Sequence, residues 1–226
     1  MVNKDLIFNY SPSEFAFDYE GCKKCYYDKK INNIILKTAF PGAFSMFDRE
    51  QKKYYNNKSS KIISSNLDDG VIVSDYNKKI FSKVLRDNKD RPFTLSGFID
   101  AYIKHKNSYT VIDFKTTKIS DDQPLIYKPQ LQSYAIIMEN PKEGSLKLDP
   151  ISNLGILCFE PSNIINVNKK DCEFKMTTKW FDVKRDDKEL ISYITKIQDL
   201  LYDNKTPKSD EDCKICKFKK VINNEK

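Results

Sequence analysis

Two aspartates interrupt the most strand-like part of this chain, and their placement constrains the fold more than any other feature. Thr94 to Lys104 alternates and carries Phe98, Ile99, Tyr102 and Ile103, while Tyr109 to Phe114 is a second run rich in β-branched and aromatic residues. Between them Asn107-Ser108 is a short polar break that can turn a hairpin. Asp is depleted inside strands, yet Asp100 closes Gly97-Phe98-Ile99-Asp100 in the first run, and Asp113 precedes Phe114 and Lys115 in the second. Strand side chains alternate, so Asp113 and Lys115 share a face. An antiparallel pairing of the two runs brings Asp100 near Asp113 on that face. Converging carboxylates repel unless a cation lies between them, and hard oxygen ligands of this kind suit Mg²⁺ or Mn²⁺. Such an ion orients and acidifies water and neutralises charge on a phosphate. A lysine two residues along can position that water and offset transition-state charge. Asp-x-Lys alone is a common pattern that mostly flanks strands; two acids set inside apolar runs favour a site.

The rest of the chain supplies helices and further strands around this hairpin. Ser11-Pro12-Ser13-Glu14 reads as a helix start, with Ser11 as cap, Pro12 in the first turn and Glu14 closing a capping box. The short helix carries Phe15, Phe17 and Tyr19 and ends near Gly21. A second helix is expected over Phe40 to Tyr55, a polar loop over Asn56 to Asp69, and a third helix over Tyr76 to Leu85. Downstream, Pro129 to Met138 reads as an amphipathic helix with Gln130 and Tyr134 neighbours on one face. Asn153 to Phe159 and Phe174 to Val183 are expected strands. Asp187 to Tyr202 is an expected helix, followed by a polar tail reaching Cys213. This order predicts an α/β fold, a mixed central sheet flanked by helices. The 226 residues suit a single domain over 1–226 with its core about 90–185.

Thirty-nine basic against thirty-two acidic residues leave a formal charge of +7. That surplus favours a polyanion, nucleic acid ahead of a membrane surface. No run approaches the roughly 18 apolar residues of a membrane span, and Met1 to Tyr10 lacks the pattern of a signal peptide. An intracellular, cytoplasmic setting is the expectation, in which six cysteines stay reduced. Cys22-Lys-Lys-Cys25 and Cys213-Lys-Ile-Cys216 are then two C-x2-C pairs able to give one metal four thiolates. Zinc and an iron–sulfur cluster both accept that set. Cys158, inside an apolar strand, reads as core, and Cys172 stays undecided.

Taken in order, the G-x-x-D strand Gly97–Asp100, the D-x-K strand Asp113–Lys115 and the Q-x-x-x-Y helix Gln130–Tyr134 resemble the RecB-like branch of the PD-(D/E)XK nuclease superfamily. The resemblance implies a restriction-endonuclease-like α/β/α core, here with a helical N-terminal region and a C-terminal cysteine tail. It implies one- or two-metal hydrolysis of phosphodiester bonds with Mg or Mn. Asp100 and Asp113 are then metal ligands, Lys115 the catalytic lysine, and Gln130 and Tyr134 support for DNA binding. The main-chain carbonyl of Phe114 would complete the coordination. Iron–sulfur nucleases of the CRISPR-associated and recombination type usually join one front cysteine to three behind; two and two here leaves a 4Fe-4S cluster and Zn both open. Many members carry a histidine on an upstream helix. The only one here, His105, falls at the hairpin turn, where a solvated ring is expected, and Asp48 or Glu50 on the second helix would replace it. By family analogy the function is exonucleolytic hydrolysis of single- or double-stranded DNA in repair, recombination or phage DNA processing, with protein partners. The alternative is a non-catalytic nucleic-acid-binding module or a subunit of a larger DNA-processing complex.

Overall fold

The computed structural model describes residues 6–35, 42–168, 170–203 and 205–224, with side chains as far as residue 219. One mixed sheet joins β1 (Phe8–Tyr10), β3 (Ile80–Phe81), β4 (Leu85–Arg86) and β5 (Pro92–Gly97). The other, also mixed, runs in the order β2 (Val71–Val73), β6 (Ala101–Lys104), β7 (Tyr109–Thr116), β8 (Ile151–Ile165), β9 (Glu173–Asp182). The helices are α1 (Pro12–Glu14), which continues into a π-helical turn at Phe15–Tyr19, then α2 (Lys23–Ile31), α3 (Gly42–Tyr55), α4 (Gln123–Glu139), α5 (Asp187–Tyr202) and α6 (Lys214–Asn224). The expected α/β architecture with a mixed central sheet is present.

β7 is the centre of the larger sheet. It pairs antiparallel with β6 and parallel with β8, and the parallel step needs a crossover, which α4 provides. Val111, with Ile156 and Cys158 of β8, packs toward Leu131 and Ile137 of α4 and Ile194 of α5. Ile112 and Phe114, with Leu157 and Phe159, pack on the other face toward Tyr55 of α3. A strand covered on both faces reads as a nearly continuous apolar run. Each apolar side chain buried there contributes roughly 1.5–3 kcal/mol. Asp113 in the same strand forfeits that gain and adds a desolvation penalty.

Several expectations are corrected. The run Thr94–Lys104 is two strands in two sheets, with residues 98–100 crossing between them. At the crossing a Cβ on Gly97 would stand 3.0 Å from Pro12 and 3.1 Å from the ring of Tyr134, so glycine lets the two approach. No helix forms over Tyr76–Leu85; β3 and β4 pair with β5 instead, because an open sheet edge outweighs a weak helical pattern. Ser11 precedes α1, but its side chain makes no capping bond. Glu14 turns inward to accept from the Tyr26 hydroxyl at 2.8 Å and to pair with Lys30 at 2.7 Å. α4 starts six residues before Pro129, with Pro124 in its first turn. The C-terminal tail becomes helical at Lys214, Ser60–Ile62 form a 3-10 turn in the expected loop, and β8 runs on to Ile165. α5 has the expected bounds, capped by Asp186 accepting from the Glu189 N–H. Phe40 of the expected second helix lies outside the described residues.

Candidate active site and cysteine cluster

The hairpin register pairs Ala101 with Ile112, so Asp100 stands level with Asp113 one step further. There the strands part. Asp100 Oδ2 accepts the Phe114 N–H at 2.9 Å, taking the place a continued β6 would have held. A strand residue's N–H and C=O leave on the same edge, so the Phe114 carbonyl also faces this opened edge. Asp113 is 2% exposed, and its Oδ1 accepts from Gln130 Nε2 at 2.8 Å. The same amide lies 3.4 Å from the Tyr134 hydroxyl. Lys115 Nζ sits 2.5 Å from Asp113 Oδ2, a close ion pair. The structure thus brings together Asp100, Asp113, Lys115, Gln130, Tyr134 and the Phe114 carbonyl.

α3 closes the site from the other side. Lys52 Nζ lies 2.8 Å from Asp100 Oδ1 and 3.0 Å from Asp48, while Gln51 donates to the Thr116 hydroxyl at 2.9 Å. Asp48 therefore reaches the carboxylates only through Lys52. Glu50 is exposed and pairs with its neighbour Arg49. His105 is not the solvated ring expected: its Nδ1 lies 2.9 Å from the Asp69 carbonyl and its Nε2 2.8 Å from the Thr110 hydroxyl, a brace for the hairpin end. Two site neighbours escaped the sequence reading. Lys52 is four residues beyond Asp48, and Tyr127, whose ring centroid lies 4.5 Å from Lys115 Nζ, is three residues before Gln130. Both offsets return to the same helical face.

Burial lifts the Asp113 carboxyl to about 7; the Lys115 ammonium pulls it back and the Asp100 carboxylate pushes it up again. Burial opposes the Lys115 charge, but Asp113 and Asp100 more than offset it, so the ammonium is held above its ordinary range. Gln130 Oε1 is a buried acceptor without a hydrogen-bond donor among the described residues, and Asp113 Oδ2 has the Lys115 ammonium as its partner. Two converging carboxylates, with a buried amide oxygen left unpaired beside them, suit a hard divalent cation. A pH effect follows for the metal-free protein. The unfolded acid ionises near 3.8 and the folded one near 7, so the folded state holds the extra proton between those values and loses stability as pH rises through them. Urea unfolding in magnesium-free buffer is expected to show this fall, flattened in Asp113→Asn.

The two cysteine pairs meet across the molecule. Cys22 and Cys25 sit at the start of α2, Cys213 and Cys216 at the start of α6. Cys22 Sγ is 3.7 Å from Cys216, and Cys25 is 3.7 Å from Cys213 and 3.5 Å from Cys216. All four sulfurs lie within 4.8 Å of one another, a donor set that fits one four-thiolate centre. Burial raises the Cys22 thiol, but N–H groups of Cys25 and Asp210 and the neighbouring thiols outweigh it and bring it to about 7. Cys158 is buried in the core as expected, and Cys172 is exposed.

A sequence model of the PD-(D/E)XK nuclease superfamily matches residues 33–221, most of the chain. The chain belongs to this superfamily. The matched stretch holds Asp100, Asp113, Lys115, Gln130, Tyr134 and the rear cysteine pair, and begins after Cys22 and Cys25. The fold is the superfamily's restriction-endonuclease-like one, and membership implies a metal-dependent nuclease acting on nucleic acid. The crystal structure of SSO0001 shares the fold at 13% identity and a TM-score of 0.51, over 94% of this chain and 84% of that one. No curated protein matches. Among the described residues no helix is long and apolar enough to cross a membrane.

Proposed function

We propose that the chain is a Mg²⁺- or Mn²⁺-dependent deoxyribonuclease of the RecB-like branch, one domain over 1–226, working as an exonuclease. The observation that carries this reading is the opened edge of β7, where Asp100, Asp113 and the Phe114 carbonyl converge beside Lys115. Those three groups would hold a divalent ion, which would supply charge neutralisation at the phosphate and acidify a water. Gln130 fixes Asp113 through Oδ1, so an ion would take Oδ2 alongside the Lys115 ammonium that now faces it, with Tyr134 steadying the amide. Both side chains are buried, so they act through Asp113 rather than by touching the DNA backbone. The Lys115 ammonium faces the same side and serves the charge that builds as the water oxygen bonds to phosphorus and the bond to the leaving sugar oxygen breaks. Lys52 holds Asp100 in place from α3. The surplus of +7 draws in the polyanion.

The four cysteines form a structural centre, zinc or 4Fe-4S, which visible absorbance of freshly purified protein distinguishes. Free thiols suit an intracellular setting, and repair, recombination or phage DNA processing, with protein partners, is the context of the reading. Incubation of end-labelled single- and double-stranded DNA with Mn²⁺ tests the activity. Early release of the label as mononucleotides or short products is expected. A ladder of internal cuts overturns exonuclease action. No cutting of either substrate by metal-replete protein overturns the nuclease and leaves the binding module.

A further inference from the structure

α4 runs back along β7, so its inner face reads the site in reverse order: Gln130 meets Asp113, and one turn earlier Tyr127 meets Lys115. Lys115 is a four-carbon stem with many rotamers, held at its tip by two things. One is Asp113 Oδ2 at 2.5 Å; the other is the buried ring of Tyr127, 4.5 Å from centroid to Nζ, inside the roughly 6 Å range of a cation–π contact. The two anchors differ in kind. An oxygen of Asp113 is claimed by any ion the carboxylates hold, whereas a neutral ring is not a ligand for a hard cation.

Tyr127 also touches the segment that leads to the cysteines. The ring of Phe17 lies 5.8 Å from that of Tyr127 although Phe17 is 56% exposed. Five residues on is Cys22, whose N–H bonds the Asp18 carbonyl at 3.3 Å. Gly21 makes that turn tight: a Cβ there would stand 2.4 Å from the Phe17 carbonyl oxygen. The segment that delivers Cys22 therefore also lays Phe17 on Tyr127.

We propose that Tyr127 is a positioning residue that keeps the Lys115 ammonium aimed into the site, and that Phe17 couples this ring to the cysteine-bearing segment. The proposal rests on the reading of Lys115 as the catalytic lysine, but its first test does not. In ¹³C-lysine-labelled protein, ring current shifts the Lys115 ε-methylene upfield, a resonance assigned by its loss in Lys115→Arg. It is expected to persist in Tyr127→Phe, vanish in Tyr127→Leu and move in Phe17→Ala. Cutting of DNA is expected to follow, with kcat down on the order of tenfold to a hundredfold in Tyr127→Leu, as for a misplaced catalytic group. KM should stay near wild type and Tyr127→Phe should restore kcat. A shifted resonance that survives Tyr127→Leu overturns the positioning role. One indifferent to Phe17→Ala overturns the coupling. If wild type proves inert on DNA while the resonance behaves as described, the nuclease reading fails and the anchoring of Lys115 stands.

Discussion

Asp113→Ala is expected to lose about a thousandfold or more of Mn²⁺-dependent cutting while the protein stays folded and still binds DNA. A single group acting on the proton and charge of a transition state is worth roughly 10²–10⁴-fold, and in the proposed mechanism Asp113 would also hold the ion, besides accepting from Gln130 and pairing with Lys115. The effect on stability is small by comparison, because two changes oppose each other. Removing a carboxylate that burial already disfavours relieves a desolvation penalty. It also leaves the Lys115 ammonium and the Gln130 amide without their partner. Lys115→Ala should lose a comparable part of the rate for a different reason. The ammonium that serves the building charge is gone, and the Asp113 carboxyl, which the lysine holds down, rises and becomes a poorer ligand. Restoring part of the Lys115→Ala rate by raising pH, with none restored in Asp113→Ala, would separate the two roles. Full activity in both variants, with thermal unfolding unchanged, would remove the site from the chemistry.

The candidate site was legible in the sequence because acids and a lysine set in apolar strands break local rules. An acid inside an apolar strand is unfavourable for folding, so Asp113 stands out against Val111, Ile112 and Phe114, and the register that sets Asp100 opposite it follows from the hairpin. Tyr127 was hidden by Pro129. Proline usually marks a helix start, so the helix was expected to begin there, whereas α4 starts at Gln123 with Pro124 in its first turn and carries Pro129 inside. The residues of the preceding turn, Tyr127 among them, were thereby left off the face that meets Lys115. The split of Thr94–Lys104 between two sheets was hidden for another reason. Alternation reports which residues are buried, not which sheet buries them, and Phe98 to Asp100 continue the pattern while the chain crosses. Lys52 was unreadable because a lysine on a helix is ordinarily solvated; only the packing of α3 against the opened edge turns it to Asp100.

Removing the metal from the cysteine cluster, or replacing Cys25 and Cys216 together by Ser, is expected to lower the unfolding midpoint by about 10–20 °C. The pairs are 188 to 194 residues apart, so a shared ion closes almost the whole chain into a loop. Loop-closure entropy grows only with the logarithm of length, and a 100-residue crosslink is worth about 4.7 kcal/mol in that account, so roughly 5 kcal/mol is the scale here. At about 2–4 °C per kcal/mol for a domain of this size, the shift follows. A polar contact between the same elements is small beside it. Asp28 of α2 reaches Lys219 of α6 at 3.2 Å, a partly exposed pair worth about 1 kcal/mol at most. Cys172→Ser is the control, since that thiol is exposed and apart from the cluster; it should leave the midpoint unchanged. Calorimetry beside metal analysis checks the set. An unchanged midpoint in Cys25→Ser/Cys216→Ser, in protein whose wild type holds one centre per chain, would mean that α2 and α6 stay docked without it. The centre would then have to be explained by its effect on the segment carrying Phe17 rather than by the stability of the fold.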